Sequence, residues 1–269
     1  MLITMPIYCT LENERYAISK QSIISLLWSA RPTESRILLV NNASTDQRIT
    51  DFLNSLDQHN VSIVQMERNV YNVGAFNLGM SLCDRDEVFC TAEDDVFWKR
   101  HSWPDFLNRL VLDHTIYGAA LCVGFPKWVE REYDYETVCV SGYGEVDIFH
   151  SWNIWNGSTA WHPLVREKIG YFFPPRDGYG YTDVLYCKRV RESGIQPIVH
   201  VWEWPMAYLD RQSKDHPWRN YKRKAAKSGA RPWQNLVDAY TNGERPLYES
   251  IYPAEMPFTI IRDNARFWA

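Results

Sequence analysis

The feature that most constrains this chain is a regular alternation of strand-like and helix-like segments in its first third. Short apolar runs at Leu2–Tyr8, Arg36–Asn41, Val61–Met66 and Glu87–Ala92 predict four strands. The segments between them carry apolar residues at helical spacing, which predicts crossover helices. Strands joined in this way form a parallel sheet with helices packed on its faces. The sequence therefore predicts an α/β fold with a Rossmann-like, mostly parallel sheet.

The rest of the chain is less regular. Helical spacing recurs at Pro163–Ile169 and Thr182–Ser193, whereas Phe125–His150 mixes charged and aromatic residues and predicts loops with short strands. The chain has 269 residues, which suits one large domain, and no repeat or flexible linker interrupts it. We expect a single domain over residues 1–205, with a donor half at about 1–100, an acceptor half at about 101–205, and a packed C-terminal extension at 206–269.

Cysteine usage and hydropathy bear on the compartment. The six cysteines form no Cys-x-x-Cys pair, and no stretch approaches the ~18 apolar residues of a membrane span. The first residues lack the basic and apolar regions of a secretory signal. We therefore expect a cytoplasmic protein with free thiols.

Charge is concentrated in one segment. Arg211–Arg231 holds eight basic residues and one acid, Asp215, a net charge of +7 in a chain whose formal net charge is −4. Trp218, Tyr221 and Trp233 lie among or beside these charges. Such a segment is either a solvated helix face or a surface for an anionic partner such as a phosphate, a lipid head group or a nucleic acid.

Three adjacent acids follow the fourth predicted strand. Ligands of open α/β sheets bind at the carboxyl ends of the strands, where Glu93, Asp94 and Asp95 lie. If the strand continues, Glu93 and Asp95 point to the same side. Two carboxylates on one side, often with substrate phosphates, suit Mn²⁺ or Mg²⁺. The other interpretation is an exposed acidic loop.

The order of motifs resembles that of the GT-A glycosyltransferases of family 2. That family opens with a strand ending in proline and an aromatic residue, then shows Asp-Asp-Gly-Ser-Thr-Asp and Asn-x-Gly-x-x-Gly-Ala-x-Asn-x-Gly motifs before its metal-binding acids. In this chain the corresponding segments are Thr4–Tyr8, Asn41–Asp46, Asn69–Gly79 and Glu93–Asp95. Later segments, Gly157–Trp161, Val165–Phe172 and Thr182–Gly194, are also similar, so that the resemblance spans roughly residues 3–200.

The resemblance implies an inverting transferase that moves a sugar from a nucleoside diphosphate sugar, with a UDP-sugar favoured, to an acceptor hydroxyl. Glu93 and Asp95 would hold the divalent ion, and Asp183 would be the general base. For Asp183 the alternative is a carboxylate that stabilises a helix N-terminus. The family often adds a late histidine as a metal or diphosphate contact. His216 is the candidate here, whereas His200 lies in an apolar strand that favours a core position.

Further residues match positions near the donor or the acceptor. The resemblance implies donor contacts at Pro6, Tyr8, Asn42, Asn77, Asp94 and Arg219. Asn77 and Gly79 could instead serve helix–strand packing. Because both acids of the second motif are asparagines here, Asn41 and Asn42, the base preference stays open. The acceptor side would be lined by Trp152, Trp155, Trp161 and Tyr179, since aromatic faces stack on sugars and on nucleobases alike.

Several alternatives stay open at this point. The expected acceptor is a saccharide or glycolipid, and a peripheral contact of the basic segment with lipid phosphates would fit it. An alternative acceptor is DNA with hydroxymethylated bases, whose backbone Arg211–Arg231 would follow. A second alternative is a module that binds a nucleotide-sugar without catalysis. A dinucleotide-dependent oxidoreductase is disfavoured, because no Gly-x-Gly-x-x-Gly follows the first strand.

Overall fold

The structure is a computed structural model that describes most of the first two thirds of the chain and its last residues. The described residues are 1–113, 119–121, 135–151, 154, 157–172, 182–195, 198–201, 206–209, 217, 220 and 256–268. The strands are β1 Leu2–Ile7, β2 Arg36–Asn41, β3 Val61–Met66, β4 Phe89–Ala92, β5 Val96–Trp98, β6 Ala119–Leu121, β7 Tyr135–Val140, β8 Gly144–His150, β9 Ser158–Trp161, β10 Val199–Val201, β11 Met206–Tyr208 and β12 Phe258–Asp263. The helices are α1 Tyr16–Ala30, α2 Gln47–Ser55, α3 Tyr71–Leu82, α4 Trp103–Asp113, α5 Pro163–Ile169 and α6 Thr182–Glu192.

The first four predicted strands form a parallel unit in the order β3-β2-β1-β4. Their apolar residues are buried on both faces, as expected of a parallel sheet covered by helices. The chain builds β1, β2 and β3 in one direction and then crosses to place β4 on the other side of β1. The order of strands therefore reverses between β1 and β4, which is where ligands of open α/β sheets bind. The predicted α/β fold is confirmed.

The second half of the chain extends the same sheet with mostly antiparallel strands. The order continues β4-β9-β6-β10-β8-β7, and only the β6–β10 pair in this part is parallel. Where loops with short strands were expected, the described residues form a hairpin of β7 and β8. Gly142 and Gly144 turn it with φ of 80° and 83°, a backbone region that glycine adopts without a steric penalty. The sheet is thus mixed, with its parallel part around the switch point.

The end of the chain supplies an edge strand. β12 pairs antiparallel with β3, and the Ser62 hydroxyl donates to the Asp263 carboxylate at 2.8 Å. Arg262 and Asp57 are 3.0 Å apart across the same edge. Strand β12 thus covers the edge of β3. Only parts of the expected extension are described, so the boundary at residue 205 stays a prediction.

Among the described residues, no helix has both the length and the apolar composition that crossing a membrane requires. Five cysteines are described, and all five are free thiols: Cys9, Cys83, Cys90, Cys139 and Cys187. Burial raises the pKa of Cys9, Cys83, Cys90 and Cys187 to about 12. These four thiols therefore stay protonated and act as small apolar side chains.

Helix α3 packs on β1 through a glycine. A Cβ atom added at Gly79 would lie 1.8 Å from the Thr4 hydroxyl oxygen and 2.7 Å from the Thr4 Cβ. The second atom is next to the backbone, so a side-chain rotation cannot relieve the clash. Of the two interpretations of Gly79 left open by the sequence, the structure supports close helix–strand packing.

Gly79→Ala should therefore lower the free energy of unfolding by about 2–3 kcal/mol, because overpacking outweighs the roughly 1 kcal/mol that alanine adds to helix propensity. Urea unfolding followed by circular dichroism measures this change. Ser81→Ala, at an exposed position of the same helix, is the control and should stay within about 0.5 kcal/mol of the unsubstituted protein. An unchanged Gly79→Ala protein would contradict the described contact between α3 and β1.

Candidate functional site

The switch point between β1 and β4 brings together the loop after β1 and the three acids after β4. The two strands are in register from Leu2 opposite Phe89 to Thr4 opposite Thr91. Beyond this point they diverge, so that Pro6 has no partner on β4 and its missing N–H costs no hydrogen bond on that side. Pro6 is buried within the strand, and Tyr8 follows it half-buried at the mouth of the sheet.

The backbone of the acid triplet is fixed from both sides. The Glu93 N–H donates to the Gly157 carbonyl at 3.1 Å, and the Leu209 N–H donates to the Asp95 carbonyl at 2.8 Å. Asp94 and Asp95 are buried at 7% and 1% exposure, whereas Glu93 is half-buried. The triplet is therefore a structured turn inside the molecule, and the alternative of an exposed acidic loop is wrong.

A buried arginine holds the middle acid. Arg15 donates through Nη2 and Nε to the two carboxylate oxygens of Asp94, and the second of these bonds is 3.3 Å long. The Ser19 hydroxyl donates to Asp94 at 2.5 Å. Ser19 belongs to α1 and Arg15 is the residue before it, so the Asp94 side chain points toward α1. The prediction of a donor contact at Asp94 does not fit this position, since its carboxylate is committed to Arg15 and Ser19.

Arg15 also approaches the third acid. Its Nη2 lies 3.6 Å from Oδ2 of Asp95. Burial by itself would lower the pKa of Arg15, but the carboxylates of Asp94 and Asp95 have a larger opposite effect. The pKa of Arg15 therefore lies above its usual value, and the guanidinium stays charged. Burial raises the pKa of Asp94 above its usual value, and the charge of Arg15 offsets this rise only in part. The buried positive charge thus offsets part of the repulsion between neighbouring carboxylates.

Four serines on one face of α1 attach this helix to the segment that carries the acids. Ser22 donates to the Val96 carbonyl at 2.6 Å, and Ser29 donates to the Arg100 carbonyl at 2.6 Å. Ser25 accepts from the Trp98 N–H at 3.1 Å, and Ser19 binds Asp94. The sequence analysis missed this serine face, although its signal is visible as serines at 19, 22, 25 and 29 in an otherwise apolar helix.

The two asparagines of the second motif use their amides inside the fold. Asn42 donates to the Asn69 side chain at 2.9 Å and to the Tyr71 carbonyl at 3.1 Å, and it accepts from the Val70 N–H at 2.8 Å. Asn41 donates to the Gln65 side chain at 2.6 Å. A carboxylate can only accept, so neither arrangement would be available to aspartate. Asn42 therefore fixes the start of α3 next to the mouth of the sheet.

Two other predicted site residues lie in the core. Asn77 is fully buried, accepts from the Phe172 N–H at 2.9 Å and donates to its carbonyl at 3.3 Å. Trp161 is 1% exposed and packs edge-on against Tyr186, with ring centroids 4.9 Å apart. In the described structure, buried backbone partners occupy the Asn77 amide and apolar packing surrounds Trp161. The donor contact at Asn77 and the acceptor contact at Trp161 stay predictions.

Asp183 lies in the first turn of α6 and is half-buried. The helix is anchored by Arg189, which is fully buried and donates to the backbone carbonyls of Ile169 and Tyr171, the latter at 2.6 Å. Together with Asn77, Arg189 fixes the segment Ile169–Phe172. His200 is 4% exposed and stacks on Phe149 at 5.0 Å between ring centroids, in agreement with a core histidine.

The other residues that the sequence analysis singled out lie outside the described residues. These are Trp152, Trp155, Tyr179, His216 and Arg219, and the aromatic residues Trp218, Tyr221 and Trp233 of the basic segment. Their roles therefore stay predictions.

A parallel βα unit with acids at its switch point, extended by a mixed sheet, is the GT-A type of fold. The chain belongs to glycosyl transferase family 2, because the model of that family matches residues 13–169, more than half of the chain. The predicted resemblance is confirmed. No curated protein matches the chain in sequence.

Solved structures share this fold at low sequence identity. TarS of S. aureus, residues 1–349 in complex with UDP, is 17% identical with a TM-score of 0.53, and the match covers 77% of this chain and 58% of that one. The mannosyltransferase PcManGT from Pyrobaculum calidifontis, in complex with GDP-Man and Mn²⁺, is 14% identical with a TM-score of 0.56 and covers 94% and 65%. GalNAc-T7 with UDP, GalNAc and Mn²⁺ is 12% identical with a TM-score of 0.53 and covers 76% and 43%. This chain thus spans less than two thirds of each of these three proteins.

The acid triplet is the part of the described structure whose chemistry suits a divalent metal. Within the described ranges, no three acidic, histidine or cysteine side chains are grouped as a complete metal site. Two carboxylates are nevertheless a usual protein contribution to a Mg²⁺ or Mn²⁺ site when substrate phosphates supply further oxygens. Glu93 and Asp95 fit that requirement, since Asp94 between them turns toward Arg15.

Breaking the Arg15–Asp94 pair should destabilise the protein strongly. Arg15→Met should lower the free energy of unfolding by about 3–5 kcal/mol, because it leaves a buried carboxylate without its countercharge. The double variant Arg15→Met/Asp94→Leu should recover at least half of this loss, since it removes both buried charges. Denaturant unfolding of the wild type, both single variants and the double variant measures the coupling. Strictly additive effects would show that the two side chains do not interact.

Proposed function

We propose that this chain is a glycosyltransferase that moves a sugar from a nucleoside diphosphate sugar to an acceptor hydroxyl with the help of a divalent cation. One observation carries the proposal: an acid triplet is held by Arg15 and the serine face of α1 at the switch point of a family 2 domain. Burying the carboxylates of the triplet lowers the stability of the fold. A role in binding a metal and substrate phosphates would explain why they are buried there.

Glu93 and Asp95 are the proposed metal ligands, and the donor diphosphate would complete the shell. A divalent cation at this place would offset the negative charge that develops on the leaving diphosphate. UDP, GDP-Man and Mn²⁺ occur in the complexes of the similar structures, which supports a nucleotide-sugar with a metal, and two of those three complexes contain UDP. We therefore favour a UDP-sugar as donor, with Tyr8 next to it at the end of β1.

Asp183 is the proposed general base. The acceptor oxygen attacks the anomeric carbon of the sugar, the bond from that carbon to the diphosphate oxygen breaks, and the acceptor proton passes to the Asp183 carboxylate. One such displacement inverts the anomeric configuration. The placement of Asp183 in the first turn of a helix anchored by buried Arg189 supports this role, since a base must be held at a fixed position.

The proposed acceptor is a saccharide or a glycolipid. The DNA alternative depends on Arg211–Arg231, and among these residues only Pro217 and Asn220 are described. No observation in the described part of the chain favours it, so only the first acceptor class is developed further.

Nucleotide binding tests the donor site directly. We expect one of UDP, GDP, CDP and TDP, with UDP favoured, to bind in calorimetry when Mn²⁺ is present and to bind much more weakly without it. Asp95→Asn and Glu93→Gln should each weaken this binding by at least about tenfold, since each removes a ligand charge. Glu145→Gln, an exposed acid on the β7–β8 hairpin, is the matched control and should bind as the wild type does.

Thermal unfolding of the same variants separates lost binding from lost folding, which is necessary because Asp95 is buried. If no nucleoside diphosphate binds with or without metal, the donor site is not at the acid triplet and the proposal fails.

The base is tested by Asp183→Asn. This substitution should leave donor binding unchanged and lower the rate of sugar transfer by about 10²–10⁴-fold, the usual contribution of a general base. Transfer is followed as release of the nucleoside diphosphate in the presence of a panel of saccharide and glycolipid acceptors. Glu192→Gln, at the far end of the same helix, is the control. A transfer rate within a few fold of wild type would assign Asp183 to helix stabilisation instead.

A further inference from the structure

Helix α1 has an unusual distribution of side chains. Its inner face buries the four serines that bind the acid-bearing segment, while two large apolar residues face outward. Ile24 and Trp28 are 49% and 41% exposed, one helical turn apart. Trp28 contacts the ring of His101, with centroids 3.6 Å apart, yet both Trp28 and Ile24 keep a large exposed apolar surface.

These residues belong to a groove of about 690 Å³ between α1 and the β5 segment. Its apolar lining includes Tyr16, Ile24, Trp28 and Phe97, and its polar groups include Lys20 and Lys99. None of the described residues that line the groove is acidic. Lys20 lies over the rings of Tyr16 and Phe52, 5.6 Å and 5.3 Å from their centroids, and none of the ion pairs among the described residues includes Lys20 or Lys99. The α1 groove therefore combines an apolar floor with two positive charges.

This charge decides which occupant fits. The segment Arg211–Arg231 carries a net charge of +7, so the lysines would repel it. A second copy of the chain related by two-fold symmetry would bring the lysines of both copies together. The favoured partner is anionic and also has an apolar body. A membrane with anionic lipids presents both, since its head groups attract lysines while its hydrocarbon accepts exposed tryptophan and isoleucine.

We propose that the α1 groove is a docking surface for an anionic lipid membrane. Trp28 and Ile24 insert at the interface, and Lys20 and Lys99 contact the lipid phosphates. The surface begins at Tyr16, the residue after Arg15, and includes Phe97, two residues after Asp95. A docked membrane therefore lies beside the segment that carries the acid triplet. The proposal does not depend on the enzymatic activity, since it concerns only binding to lipid.

Sedimentation with vesicles tests the proposal on the full chain. We expect binding to phosphatidylcholine vesicles that contain one third phosphatidylglycerol, and weaker binding to phosphatidylcholine alone. Ile24→Ser/Trp28→Ser should reduce the partition coefficient by about tenfold or more. Lys20→Gln/Lys99→Gln should reduce it by about tenfold on the anionic vesicles only, and added salt should have the same effect.

Matched controls remove similar residues from other surfaces. Ile260→Ser/Ile261→Ser removes two residues that are 42% and 44% exposed on β12, and Arg85→Gln/Lys168→Gln removes two exposed positive charges outside the groove. Both should bind vesicles as the wild type does. Trp28→Phe should keep binding but lose a measurable part of the fluorescence quenching by brominated lipids.

Three results would overturn the proposal. The first is that the wild type fails to bind anionic vesicles. The second is that the groove variants bind as well as the controls, which would assign lipid binding to another surface. The third is that the wild type does not bind vesicles and Ile24→Ser/Trp28→Ser either lowers the unfolding temperature or dissociates a dimer in light scattering. The groove would then be covered by the chain's own residues or by a second copy.

Discussion

The rest of the site depends on one buried ion pair, between Arg15 and the middle acid of a carboxylate triplet. Three adjacent acids at a strand end repel one another, and burying them adds a desolvation cost. Arg15 reduces both the repulsion and the desolvation cost, because its guanidinium binds Asp94 through two nitrogens and lies 3.6 Å from Asp95. The Ser19 hydroxyl completes the shell of Asp94. With Asp94 committed in this way, Glu93 and Asp95 are the two acids of the triplet that we propose as metal ligands.

The serine face of α1 extends this constraint along the helix. Ser22, Ser25 and Ser29 each bond a backbone group of the segment between Glu93 and Arg100, and Ser19 bonds the Asp94 carboxylate. The short strand β5 of this segment pairs only with β11 among the described strands. The buried side of α1 also carries Ile23 and Leu26, which pack in the core, so the helix is attached to the sheet by apolar contacts as well as by its serines. Ile24 and Trp28 remain exposed on the outer side of the same helix.

Local sequence signals predicted most of the fold. The strands Arg36–Asn41 and Val61–Met66 and the helix Pro163–Ile169 have the predicted bounds, because continuous apolar runs and helical spacing reflect burial directly. The β7–β8 hairpin was harder to predict, since burial along β8 does not alternate and the adjacent residues Ile148 and Phe149 are both buried. The place of the acid triplet at the end of β4 followed from its position after a predicted strand. The burial of Asn77 and Trp161 could not be predicted, since a motif identifies a residue but not the direction of its side chain.

The sequence by itself determined the class of fold, the family and the place of the acids, because each of these follows from the order of segments along the chain. Only the tertiary structure decided which acid is neutralised, which asparagine amides are used inside the fold, and which face of α1 is buried. These outcomes depend on partners far apart in sequence, such as Arg15 with Asp94 and Asn42 with Asn69. No local pattern records such pairs, since a guanidinium or an amide finds its partner only when the sheet brings distant strand ends together.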